Sequence, residues 1–92
     1  GIGAPAKGNT LINYCHLDAN LIDYLAEKSP LKIGTFSPGA HIPVMAEEKM
    51  FLEQPDYGLL LSWNLADELI TKLRRLGFKG RFIVPNPKPK VI

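Results

Sequence analysis

An α/β domain with a mainly parallel sheet is the fold this sequence predicts, on three observations. Residues 57–84 follow the order strand, helix, strand with short joints. Such a crossover sets its two strands parallel and right-handed. The strand segments "YGLLLSW" and "GRFIV" are short and almost continuously apolar, as expected of strands buried on both faces. The chain also opens on "GIGAPAKGNT", a glycine-rich stretch that runs into a helical segment with no strand ahead of it.

The elements follow in order. Asn9 or Thr10 is the expected cap of a first short helix, whose inner side is Leu11, Ile12, Tyr14 and Cys15. "LDANLIDYLAEKSP" supports two readings. Leu17, Leu21, Ile22 and Leu25 recur at helical spacing, whereas Ile22, Tyr24 and Ala26 alternate as in a strand. "SPLKIGTFSPGAHIPV" carries three prolines and two glycines and is a long irregular loop, a class of segment that often carries function. Within it "HIPV" is an edge strand, because Pro43 has no N–H for a central ladder. "AEEKMFLEQ" is a short helix with Met45, Met50, Phe51 and Leu52 inward and its glutamates at the favourable N-terminal end. "LADELITKLRRLG" is a longer one, capped by Asn64 and closed by Gly77, with Leu65, Leu69, Ile70, Leu73 and Leu76 in one stripe. "KPKVI" is a tail. If a first strand precedes the opening loop, largely or wholly outside this chain, the whole is a small Rossmann-like three-layer domain with a truncated first strand.

The 92 residues make one domain, 1–92. Eleven basic and nine acidic side chains leave a net charge of +2, too near balance to point to a nucleic-acid partner. Cys15 is the single cysteine. It excludes an internal disulfide and a thiolate metal cluster, and suits a reducing, cytoplasmic setting. The longest apolar run, around Leu59–Leu61, is far too short to span a membrane, and no signal-peptide pattern is visible. The first residue is not Met, so Gly1 is expected to be a cut point in something longer.

Three blocks, "GAPAKGNTLINYC", "SPLKIGTFSPGAHIPV" and "PDYGLLLSWNLADEL", carry a resemblance over nearly the whole chain. They resemble the C-terminal domain of S-adenosylmethionine-dependent nucleotide-sugar C-methyltransferases, enzymes that act on nucleotide-activated deoxysugars. The most specific part is "AKGNTL", "PG-HIP" and "WN--DE" in that order. The resemblance implies a complete enzyme in three parts. A zinc-binding segment and a methyltransferase domain that holds the methyl donor come first, and this domain helps hold the nucleotide end of the substrate. Neither zinc nor S-adenosylmethionine is then expected here; both belong to the missing N-terminal domains. The resemblance also favours the strand reading of "LIDYLAEK". The sequence departs from the family pattern at His16, Ala40 and 27–29.

Site chemistry starts with the opening loop. Backbone N–H groups at a helix start bind phosphate where glycines allow close approach. Gly3, Lys7, Gly8, Asn9 and Thr10 are the candidate nucleotide- and phosphate-binding residues. The glycine spacing matches neither the dinucleotide fingerprint nor a P-loop, which argues against a dinucleotide-dependent oxidoreductase. The alternative is a turn that needs glycine for backbone reasons alone, in a structural or interaction domain with no ligand of its own. Glu27 stands where an acid takes ribose hydroxyls in dinucleotide folds, or is a solvated loop carboxylate. His41, in "PGAHIP", is a substrate contact or a residue that fixes its turn. Trp63 and Asn64 end a strand and start a helix, at the carboxyl edge where open α/β sheets bind ligands. With His41 they are the expected lining of the substrate cleft. No catalytic residue and no metal ligand is expected in this chain.

Overall fold

The structure, a computed structural model, describes residues 1–86 and 88–92, the side chains of Ala6 and Lys7 aside. Its elements run α1 (Ala6–Tyr14), β1 (Leu25–Glu27), β2 (Val44–Ala46), α2 (Glu47–Glu53), β3 (Tyr57–Leu59), a 3₁₀ turn (Trp63–Leu65), α3 (Ala66–Leu76), β4 (Arg81–Val84) and β5 (Lys90–Val91). β1 pairs with β2 in parallel, Leu25 opposite Val44. β3 pairs with β4 in parallel across α3, as the strand–helix–strand pattern predicts, with Tyr57 opposite Arg81. The segment expected to be a tail is a strand instead. β5 pairs antiparallel with β4, and Phe82 and Ile92 exchange two backbone hydrogen bonds of 2.8 Å. The chain is thus an α/β domain with a parallel two-strand sheet and a mixed three-strand sheet.

Ile2 stands between the two sheets and forms parallel bridges to Ala26 on one side and Leu60 on the other. Its N–H donates to the Leu59 carbonyl at 2.8 Å, and the Gly3 N–H donates to the Ala26 carbonyl at 2.7 Å. Successive strand residues point to opposite faces, and the core divides accordingly. Ala26, Leu60, Phe82 and Val84 pack with Ile2, Met50, Leu73 and Phe78. Leu25, Leu61 and Val44 pack with Ile12, Ile22 and Ile42. The strand residues between Leu25 and Val84 therefore feed two apolar clusters, which is why their sequence reads as unbroken hydrophobic runs.

The helices depart from expectation in detail. α1 begins at Ala6, directly after Pro5, so Asn9 and Thr10 lie inside it rather than capping it. Pro5 has φ −75°, the value its ring imposes and one that leads readily into a helix. Ile12 and Gly8 are buried in α1, while Tyr14 and Cys15 face solvent. α2 buries Met50 and leaves Leu52 exposed. The 3₁₀ turn carries Trp63 and Asn64 into α3, and no side-chain hydrogen bond caps that helix. Of the α3 stripe, Leu73 is buried, Leu69 and Ile70 are half-buried, and Leu65 and Leu76 lie exposed at the two ends. Gly77 ends the helix at φ 108°, a conformation open to glycine at little cost. Among the described residues, no helix is long and apolar enough to cross a membrane.

Candidate functional site

The opening loop leaves the sheet at its carboxyl edge. Gly3 turns at φ 84°, which frees the next residue from the sheet and leads it into α1. The Ala4 N–H donates to Glu27 Oε2 at 2.8 Å, while Glu27 Oε1 accepts the N–H groups of Lys28 and Ser29 at 3.1 and 3.2 Å. Glu27 therefore spends its carboxylate on the backbone. Through these three bonds it shapes the loop.

Gly8 is a helix residue rather than a loop residue. A Cβ there would stand 2.7 Å from Leu61 Cβ and 3.2 Å from Pro5 Cγ, so glycine allows α1 to lie against the sheet. The start of α1 carries no side-chain cap hydrogen bond and no acidic residue in its first turn. The anionic group at its positive end is Glu27 of β1, on the Ala4 N–H. Beside it lies a hollow of about 260 Å³ lined by Ala4, Pro5, Asn9, Lys32, Thr35 and Pro38, among others. Lys32 reaches in from the long loop, its Nζ donating to the Ala4 carbonyl at 3.1 Å. Asn9 Oδ1 is buried with no hydrogen-bond partner among the described residues, a state that costs on the order of 1–3 kcal/mol unless something donates to it.

The structure gathers part of the expected set here. Gly3 and Asn9 lie at this corner, with Gly8 behind it against Leu61. Thr10 follows in α1, and the side chain of Lys7 lies outside the described residues. Trp63 and Asn64 are on the same edge but line a different hollow, of about 300 Å³, with Asp67, Glu68, Asn86 and Lys90. Ser62 links the two places: a Cβ on Gly3 would lie 3.9 Å from its Oγ. His41 joins neither hollow. It precedes β2, at φ 59°, with its ring stacked on Phe36 at 4.5 Å and its N–H donating to the Ser37 carbonyl at 3.0 Å. Its position fits the turn-fixing role. Sequence reasoning missed Lys32. The only signal for it was its place in a proline-rich loop, because the contact spans 28 residues.

Comparison with known proteins fits this geometry into a family. A family model described as the C-methyltransferase C-terminal domain matches residues 1–87. This chain belongs to that family. Over 93 aligned residues it is 43% identical to C-methyltransferase NovU of Streptomyces niveus, covering 100% of this chain and 22% of the relative. The C-methyltransferase C-terminal domain therefore spans about a fifth of the curated relative it matches. Among the described residues, no group of three or more His, Cys, Asp or Glu side chains gathers as around a metal ion.

Proposed function

We propose that this domain forms one wall of the substrate cleft in an S-adenosylmethionine-dependent sugar C-methyltransferase and holds the diphosphate of a nucleotide sugar. The observation that carries the reading is the corner where the uncapped start of α1, the Lys32 ammonium and the unpartnered Asn9 Oδ1 meet. An anion there meets a helix N-terminus and a point charge. Asn9 Oδ1 accepts from a sugar or ribose hydroxyl. The neighbouring hollow sets Asp67 and Glu68 against Lys90; there Trp63 and Asn64 serve the nucleoside or sugar end, and His41 acts only through its turn. The parallel bridges of Ile2 to both sheets support a Rossmann-like frame, in strand order β2, β1, Ile2, β3, β4, β5. Zinc, methyl donor and the methyl-transfer step belong to the other domains of the longer protein.

The second reading, a structural or interaction domain, draws on Glu27: its hydrogen bond to Ala4 shapes the loop with no ligand. Amide chemical shifts of the ¹⁵N-labelled chain titrated with dTDP separate the two. The binding reading expects Gly3, Ala4, Asn9 and Lys32 to shift together and saturably. Unmoved amides at saturating nucleotide, here and in the longer enzyme, overturn it in favour of the second.

A further inference from the structure

The two hollows at the carboxyl edge open on opposite sides of the sheet. The first, of about 260 Å³, is walled by Leu25, Val44 and Leu61, which pack with Ile12 of α1. The second, of about 300 Å³, has Trp63, Ala66 and Val84 behind it, which belong to the cluster around Leu73 of α3. Leu61 and Trp63 stand two residues apart, so one strand exit serves both hollows. Ser62 lies between them, beside Gly3.

Their linings suit different rings. The second hollow sets Asn64, Asp67, Glu68, Asn86 and Lys90 around Trp63. A sugar ring fits that mixture: its hydroxyls bond to carboxylates and amides, and its C–H face packs on an indole. In the first hollow most polar groups are already engaged. Thr35 Oγ1 donates to the Lys32 carbonyl, Ser37 Oγ accepts the Ile42 N–H, and Lys32 Nζ donates to the Ala4 carbonyl. Beyond Asn9 the wall is Phe36, Leu25, Val44 and Leu61. A ring rich in hydroxyls placed there leaves them unpaired, at a cost. A flat aromatic ring meets a wall that matches its faces.

Phe36 is 53% exposed, yet it is held on every side but one. Its ring stacks on His41 with centroids 4.5 Å apart and planes 14° off parallel, and its backbone bridges antiparallel to Pro43. The next residue, Ser37, is buried and donates its N–H to the Ile42 carbonyl at 2.8 Å. Asn13 Nδ2 ties the Pro38 carbonyl to α1 at 3.1 Å. A lone exposed apolar side chain is ordinary; one fixed in place at the wall of a hollow is a platform. We propose that Phe36 is the stacking platform for the nucleobase, so that a nucleotide sugar crosses the carboxyl edge with its base on the α1 side and its sugar at Trp63. This direction rests on the diphosphate reading above. It gives Asn9 Oδ1 the ribose hydroxyl rather than one from the sugar, and sets the diphosphate between the two hollows.

Trp63 is the single tryptophan, so its indole N–H in the ¹⁵N-labelled chain reports the second hollow alone. dTDP is expected to shift the Phe36 and Ser37 amides and leave that indole unmoved, and dTDP-glucose to shift all three. An indole that moves with dTDP, or stays still with dTDP-glucose, overturns the direction. So do Gly3 and Ala4 amides that move while Phe36 and Ser37 stay still, an outcome that leaves the diphosphate reading standing. If Gly3 and Ala4 also stay still, the diphosphate reading fails and the platform with it. In the longer enzyme, Phe36→Leu is expected to weaken dTDP binding roughly tenfold, within what one stacked base supplies, and to leave the affinity for inorganic pyrophosphate unchanged. Calorimetry reads both. Equal loss for the two probes, or no loss for dTDP, overturns the platform.

Discussion

Replacing Glu27 by alanine is expected to destabilise the domain by about 2 kcal/mol. Hydrogen bonds to a charged group contribute about 1.5–3 kcal/mol. The bond from Ala4 is partly buried, which places it near the low end, at about 1.5 kcal/mol. The bond from Lys28 is exposed, and both it and the bond from Ser29 are longer, so together they add only some tenths. Glu27→Gln keeps one acceptor oxygen and is expected to cost about half as much. Urea unfolding followed by tryptophan fluorescence measures both. With a denaturant slope of about 1 kcal/mol/M for a small domain, Glu27→Ala lowers the midpoint by ~2 M. Amide exchange at Ala4 rises in step. A loss under 0.5 kcal/mol, or a Gln variant as weak as the Ala variant, refutes the claim that this carboxylate holds the loop.

Gly8→Ala sets two effects against each other. Alanine gains about 1 kcal/mol of helix propensity, but overpacking against Leu61 costs about 1–3 kcal/mol; a net loss of about 1 kcal/mol in urea is expected, and a stabilised variant contradicts the close approach. In the 92-residue chain taken by itself, stability also depends on the amine at Gly1. Its folded value is depressed to about 5 from 8.0, so between these the unfolded chain binds more protons and stability rises with pH. Urea midpoints should climb from pH 5 to 8 and level off above, and blocking the amine chemically should flatten that climb. Lys32→Met in the longer enzyme is expected to weaken dTDP binding about fivefold, near 1 kcal/mol, the upper end for an exposed charge; unchanged affinity by calorimetry removes Lys32 from the site.

The second half of the fold was legible because its signals are long. α3 has a single apolar stripe and a glycine stop, and β3 and β4 are apolar runs on either side. β1 was ambiguous because three residues cannot hold a period, and the family resemblance rather than the alternation favoured the strand. The start of α1 was misplaced because polar capping residues drew attention to Asn9, while Pro5 had already set the backbone. β5 was missed because Lys90 and Val91 are exposed; their pairing is backbone bonding, which leaves no apolar trace. At the candidate site, Gly3 and Asn9 were nominated through local composition. Lys32 and the structural use of Glu27 depend on contacts across 28 and 23 residues, which local pattern does not contain. His41 stacks on Phe36 ahead of β2, a contact that local pattern does not contain either.

The central claim is that the corner at Gly3, Asn9 and Lys32 grips a diphosphate. Calorimetric titration of the longer enzyme with thymidine, dTMP and dTDP tests it most directly. The account predicts affinity that rises at each added phosphate, with the step from dTMP to dTDP lost in the Lys32→Met variant. Equal affinity for all three, or a phosphate step that survives in that variant, contradicts it.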